Sequence, residues 1–162
     1  MTQIDDYDLK ILTLLQNNGR LTNQELSYLV GLSASQCSRR RISLEQAKQI
    51  LGYHARVSPE TVGLGMIGLI EVRLINHTSG CVESFHRMVA EQDAIVDVYK
   101  TTGDADYLIK VAVASLAELS ALISELVAGH RSVAHVKTSV VLERVKEHGI
   151  MMTAEHLHQV KV

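Results

Sequence analysis

Arg39-Arg40-Arg41 is the densest positive charge in a 162-residue chain whose formal net charge is −2. Guanidinium groups on a helix attract the phosphate backbone of a duplex, and one that reaches a base edge can bond bidentately to guanine. A second chemical grouping is Gly103-Asp104-Ala105-Asp106-Tyr107. Asp104 or Asp106 can pair with an ammonium, while backbone N–H groups at a glycine turn can hold a carboxylate. On residues alone this stretch reads rather as a hairpin turn with solvated acids. Among the eight histidines, His156 and His158 sit beside Glu155 in a polar tail with no third ligand, and the sequence predicts no metal site. No nucleophile motif or phosphate loop is present, and Gly63-Leu64-Gly65 precedes a strand pattern rather than following one, so it is no dinucleotide fingerprint.

The elements that must position these residues follow from the apolar period, which changes near residue 60. Before it, spacing is helical. Asp5 to Asn17 carries Leu9, Ile11, Leu12, Leu14 and Leu15, with acids in its first turns, where the helix dipole favours them. Thr22 to Glu25 has the form of a capping box and opens a helix ended by Gly31; Ser33 to Gln36 offers a second box, opening a helix to about Ala47. Two capped helices joined by a short glycine turn, with a helix in front, predict a helix-turn-helix. After Pro59, which marks a cap or a turn, strand-like Met66–Ile75, Ala94–Thr101, Tyr107–Ala114 and Ser132–Leu142 alternate with helical Cys81–Glu91 and Leu116–Ala128. The order β-α-β-β-α-β is that of the ferredoxin-like split motif. The expected class is therefore α+β, with a winged-type helix-turn-helix and hinge over residues 1–60, a ferredoxin-like domain over 61–145, and a tail, an arm or partial helix, over 146–162.

Charge agrees with that division: residues 1–60 balance at +1 and residues 61–162 at −3. Cys37 and Cys81 show no metal spacing and fit a reducing cytosol, no signal peptide is apparent at the start, and no apolar run is long enough to span a bilayer. On a helical wheel the third helix turns Ser35, Ser38, Arg39, Ile42 and Gln46 outward, flanked by Gln36 and Ser43, with Cys37 and Leu44 inward. The N-terminal part of such a helix meets bases, so Ser35, Gln36 and Arg39 are the expected base contacts and Arg40 and Arg41 the expected phosphate contacts.

These segments together resemble the Lrp/AsnC family of prokaryotic transcription regulators. The resemblance rests on IDDYDLKILTLLQNNGRLTNQELSYLVGLSASQCSRR and LGYHARV in the first half, and on TTGDADYLIKVAV and HVKTSVVLERVK in the second. It implies a regulator of double-stranded operator DNA, cytoplasmic and nucleoid-associated, without enzymatic activity. It implies dimers formed through the sheet and hinge strand, which associate into an octamer or other higher oligomer. The effector it implies is a free amino acid, with no other cofactor, bound between dimers by Thr101, Thr102, Gly103, Asp104, Asp106, Tyr107, Ser139 and Val140.

Three departures stand out. The family usually has an apolar residue where Arg41 stands, a basic one at or near Ile42 and Ser43, and a glycine where Lys48 would end the helix. A lysine in the left-handed cap conformation costs roughly 1 kcal/mol relative to glycine. Two rival classes remain. A tetrapyrrole decarboxylase of related fold would use His86, Arg87 and His130-Arg131, and an RNA-binding sheet would need strand aromatics, of which Met66–Ile75 has none and Tyr107 stands at a strand edge.

Overall fold

The computed structural model describes residues 4–128, 132–147 and 149–151. The chain divides into two compact units. One runs to Arg56 and also includes the chain from Lys146 on; the other is Val57–Val145.

The first unit is built from α1 (Asp6–Asn17), α2 (Asn23–Val30) and α3 (Ala34–Gln46). Each helix starts at a reciprocal capping box, which satisfies backbone N–H groups that have no partner within the helix. The boxes pair Asp5 with Asp8, Thr22 with Glu25, and Ser33 with Gln36. Asp5 is thus the cap of α1 and not its first turn. Gly31 ends α2 at φ 82°, and Lys48 follows α3 at φ 56°. Ile11, Leu15, Leu26, Val30, Cys37 and Leu44 form the core where the three helices meet. Thr13, though polar, is buried; its hydroxyl donates to the Leu9 carbonyl. The expected wing is not formed. Among the described residues, 47–65 holds no strand, because an extended segment becomes a strand only by pairing its backbone with a neighbour.

The second unit is the expected βαββαβ arrangement: β1 (Met66–Leu74), α4 (Ser79–Glu91), β2 (Ile95–Lys100), β3 (Tyr107–Val113), α5 (Leu116–Ala128) and β4 (Val133–Val140). The strands form one sheet in the order β2-β3-β1-β4, and every pairing is antiparallel. Alternation along β1 turns Ile70, Val72 and Leu74 toward the helices, where they meet Phe85 and Met88 of α4 and Leu119, Leu122 and Leu126 of α5. Gly68 lies on that face opposite α5: a Cβ there would meet Val111 Cγ2 at 2.9 Å and Leu119 Cδ1 at 3.0 Å. The other face carries Leu69, Glu71 and Arg73 of β1 with Lys137 and His135 of β4 opposite the last two. Among the described residues no helix is long and apolar enough to cross a membrane.

Candidate functional site

The sharp turn at Gly31 and the cap at Ser33 fix where α3 begins, and burial of Cys37 and Leu44 fixes its rotation. That rotation leaves Ser35, Arg39, Ile42, Ser43 and Gln46 exposed with Ser38 half-buried among them. They border a shallow concavity of about 410 Å³. The arginine run then divides. Arg39 is exposed and has no hydrogen bond or ion pair among the described residues. Arg40 turns back to the start of α1, its Nη1 donating to Asp5 Oδ1 at 3.0 Å and Asp8 Oδ1 at 2.8 Å. The bond to Asp8 raises the Arg40 pKa, and the Asp8 amide hydrogen bond, reinforced by Arg40, lowers that of Asp5. Arg41 Nε donates to Glu45 Oε1 at 3.2 Å and to the Tyr53 hydroxyl at 2.8 Å, Nη1 donates to the Leu21 carbonyl at 3.0 Å, and the guanidinium lies 4.6 Å from the Tyr53 ring centroid.

Within the chain Arg40 and Arg41 therefore tie α3 to the start of α1, to the Leu21 carbonyl and to Tyr53. A half-buried guanidinium beside carboxylates, carbonyl and hydroxyl oxygens gains more from those fixed acceptors than from water. Gln36 is likewise engaged: its Oε1 accepts from the Ser33 amide at 3.0 Å, which leaves its amide N–H groups outward. The sequence signal for the Arg40 lock is the acid pair Asp5 and Asp8, whose place in the first turns also suits the helix dipole. Arg41 in a normally apolar place is explained by Tyr53, whose ring and hydroxyl accept it.

The Gly103 turn joins β2 to β3 with Gly103 at φ 117°. Its polar groups are mostly spent within the chain. Thr101 Oγ1 donates to the Ala105 carbonyl at 2.7 Å, and Arg73 Nε donates to the Asp104 carbonyl at 2.8 Å. Asp106 Oδ2 accepts from the Leu74 amide at 2.8 Å, and Oδ1 lies 2.7 Å from His77 Nε2. The Leu74 amide, then His77, holds the Asp106 carboxyl below the usual carboxylate range. Tyr107 is not at a strand edge in the sense expected. Its ring is buried 4.5 Å from that of Phe85, its hydroxyl is 2.9 Å from His86 Nε2, and burial pushes its pKa up. Thr102 and Asp104 remain exposed, with the Asp104 carboxylate unpartnered among the described residues.

Ser139 and Val140 do not join this group within one chain. They pair with Leu69 and Gly68, whereas the turn abuts Val72, which pairs with Tyr107. Four residues of β1 separate the two levels, about 13 Å at ~3.3 Å per residue, and β1 and β3 intervene between β4 and β2. The cause is direction: β4 runs antiparallel to β1, so its end returns to where β1 begins. Beside the turn stand instead the first residues of β4. Glu71, Arg73, Asp104, Ala105, His135 and Lys137 border a polar hollow of about 410 Å³ on the open face, with Lys137 Nζ 3.3 Å from Glu71 Oε1. Alternation in Glu71-Val72-Arg73 and His135-Val136-Lys137 signals one shared face; only the antiparallel register shows that the face reaches the turn. Among the described residues no three His, Cys, Asp or Glu groups cluster to hold a metal; His156, His158 and Glu155 lie outside those residues.

A capped helix-turn-helix with an open, arginine-bearing outer face, followed by a βαββαβ unit with a polar turn, defines a DNA-binding regulator with a separate ligand-binding domain. Comparison with known proteins agrees. Residues 4–45 match the AsnC-type helix-turn-helix domain and residues 68–151 the Lrp/AsnC ligand binding domain. The chain is 34% identical over 144 residues to a leucine-responsive regulatory protein of Haemophilus influenzae, covering 89% of this chain and 87% of that protein. It is 37% identical over 125 residues to a glutamate uptake regulatory protein of Zymomonas mobilis, covering 77% and 76%. Its fold is similar to a transcriptional regulator of Neisseria meningitidis solved as an L-Met complex, with TM-score 0.88, 34% identity and coverage of 96% and 99%. The chain belongs to the Lrp/AsnC family and is a transcription regulator of the helix-turn-helix type. Nothing among these relatives supports the tetrapyrrole decarboxylase; His86 is engaged with Tyr107, and His130-Arg131 lie outside the described residues.

Proposed function

We propose that the chain binds a double-stranded operator through the outer face of α3 and that a free amino acid modulates this binding or the assembly that supports it. The observation that carries the reading is the division of the arginine run. Arg40 and Arg41 lock α3 in place, so Arg39 is presented on a rigid helix beside Ser35, Ser38, Ile42 and Gln46. Arg39 is assigned to a base edge, Ile42 to a thymine methyl, and Gln36 to a contact through its free N–H groups. Two such units in a homodimer would meet half-sites spaced by about 34–36 Å or a multiple. The protein works without catalysis, in the cytoplasm and on the nucleoid.

The effector reading rests on the turn. The frame made by Thr101, Arg73 and Asp106 leaves the Asp104 carboxylate, Thr102 and the Gly103 backbone free to meet an ammonium and a carboxylate. Ser139 and Val140 lie at the opposite end of the sheet, so their share of the site comes from a second copy of the chain, which makes effector binding and assembly into an octamer or other higher oligomer one linked equilibrium. The names of the relatives, leucine-responsive and glutamate uptake regulators and an L-Met complex, favour an amino acid. A thermal-shift screen of the twenty amino acids tests this. A ligand of the native state at a hundred times its Kd adds about 2.7 kcal/mol of stability. At least one amino acid is expected to raise the midpoint and to change the retardation of operator DNA; a flat screen rules out the effector.

A further inference from the structure

Gln36 serves twice at the start of α3. It completes the capping box of Ser33, and its side chain is exposed on the first turn of the helix. Its Oε1 accepts from the Ser33 amide at 3.0 Å and from the Ser33 hydroxyl at 3.0 Å. A backbone N–H only donates, so the oxygen of the side-chain amide, and not its nitrogen, faces Ser33. Ser35 Oγ lies 3.1 Å from Ser33 Oγ and can donate to it, which leaves the Ser33 proton for Gln36. A carbonyl oxygen has two lone pairs, and here both are used. Nε2 keeps two N–H donors and has no hydrogen bond among the described residues.

A glutamine free to turn reads adenine with both atoms, donating to N7 and accepting from the N6 amino group. Gln36 would have to break two hydrogen bonds to Oε1 to gain that one acceptance. Cytosine offers only an amino donor in the major groove, which the N–H groups of Gln36 cannot meet. Guanine, through O6 and N7, and thymine, through O4, offer acceptors. We propose that the capping box makes Gln36 a donor-only reader, selective for a keto base, guanine or thymine, next to the base met by Arg39. The inference rests on the assignment of the outer face of α3 to operator DNA. Arg39 follows three residues later, is exposed, and is also donor-only. Three residues of helix rise by ~4.5 Å, close to one base step of about 3.4 Å. With Ile42 three residues further on and set against a thymine methyl, the half-site carries adjacent keto edges.

Selection from a pool of random duplex DNA tests the proposal, using the full chain and two variants, with relative affinities then measured on single-base changes of the selected site. Gln36→Ala identifies the position that Gln36 reads, as the one where preference disappears. In the wild type that position should hold guanine or thymine, favoured about fivefold or more over adenine and cytosine, the lower end for one good base contact. Gln36→Glu keeps the capping box, since glutamate also accepts from the Ser33 amide. It presents an acceptor in place of the donors and should replace the keto preference by one for cytosine. Adenine or cytosine favoured at that position in the wild type overturns the inference. So does a keto preference that survives Gln36→Glu, or a Gln36→Ala variant that alters no position. A wild type that enriches no sequence overturns the operator reading itself, and the inference with it.

Discussion

The outer face of α3 and the turn between β2 and β3 both carry surface charge, and they spend it differently. On α3, two of three adjacent arginines are consumed by Asp5, Asp8, Glu45, Tyr53 and the Leu21 carbonyl, and one is left outward. At the turn, one carboxylate is consumed by the Leu74 amide and His77, and the other is left outward. In each region the internal groups set the position of the external one. The α3 face is complete within a single chain, whereas the turn has only part of its expected partners, because Ser139 and Val140 lie at the far end of the sheet. A count of charged residues therefore overstates what a ligand meets, and family-derived site residues need not converge within one chain.

The comparison breaks most readily at Arg39. Arg39→Ala should lower specific operator affinity by about 1–3 kcal/mol, roughly 5- to 150-fold, with the folding midpoint unchanged; gel retardation and urea unfolding on the same sample check both halves. Arg40→Ala should show the reverse pattern. It leaves Asp8, which is 9% exposed, with only the 3.3 Å bond from the Asp5 amide and removes charge-assisted hydrogen bonds, at a cost of about 1–2 kcal/mol after allowing for solvent screening at the partly exposed Arg40 and Asp5. Sequence preference on DNA should survive under conditions where the variant is folded. Equal losses of specificity from both substitutions would erase the distinction between the two arginines.

Asp106 sharpens the same division at the turn. Its folded pKa is depressed below the ordinary 3.8, so its contribution to stability is present above that value and is lost as pH falls through the folded pKa. Unfolding between pH 6 and pH 2.5 should show stability dropping below about pH 4, and Asp106→Asn should flatten that part of the slope. An unchanged slope would mean that the carboxylate is not part of the frame. The smallest effect is expected at Lys48, the non-glycine residue held at φ 56°. Lys48→Gly should stabilise the first unit by up to about 1 kcal/mol, seen as a higher thermal midpoint, without moving DNA specificity.

Local chemistry was legible where it acts over a few residues. The Thr22–Glu25 and Ser33–Gln36 boxes, the stop at Gly31, the helix Leu116–Ala128 and the inward Cys37 and Leu44 all stand where short-range spacing placed them. The left-handed lysine was legible too, from the glycine it replaces. The Arg40 lock was not, since its acids lie more than thirty residues away. The burial of Tyr107 against Phe85 and its bond to His86 were equally hidden, because strand alternation names two faces without saying which one the helices cover.

By itself the sequence determined the order of elements, their caps and periods, and the arginine that faces outward, because these depend on neighbours within a turn of helix or a strand. Only the tertiary structure decided which charged groups stay free and which end of the sheet each strand terminus reaches. Those outcomes depend on distant acceptors and on antiparallel register, and neither leaves a mark in local spacing.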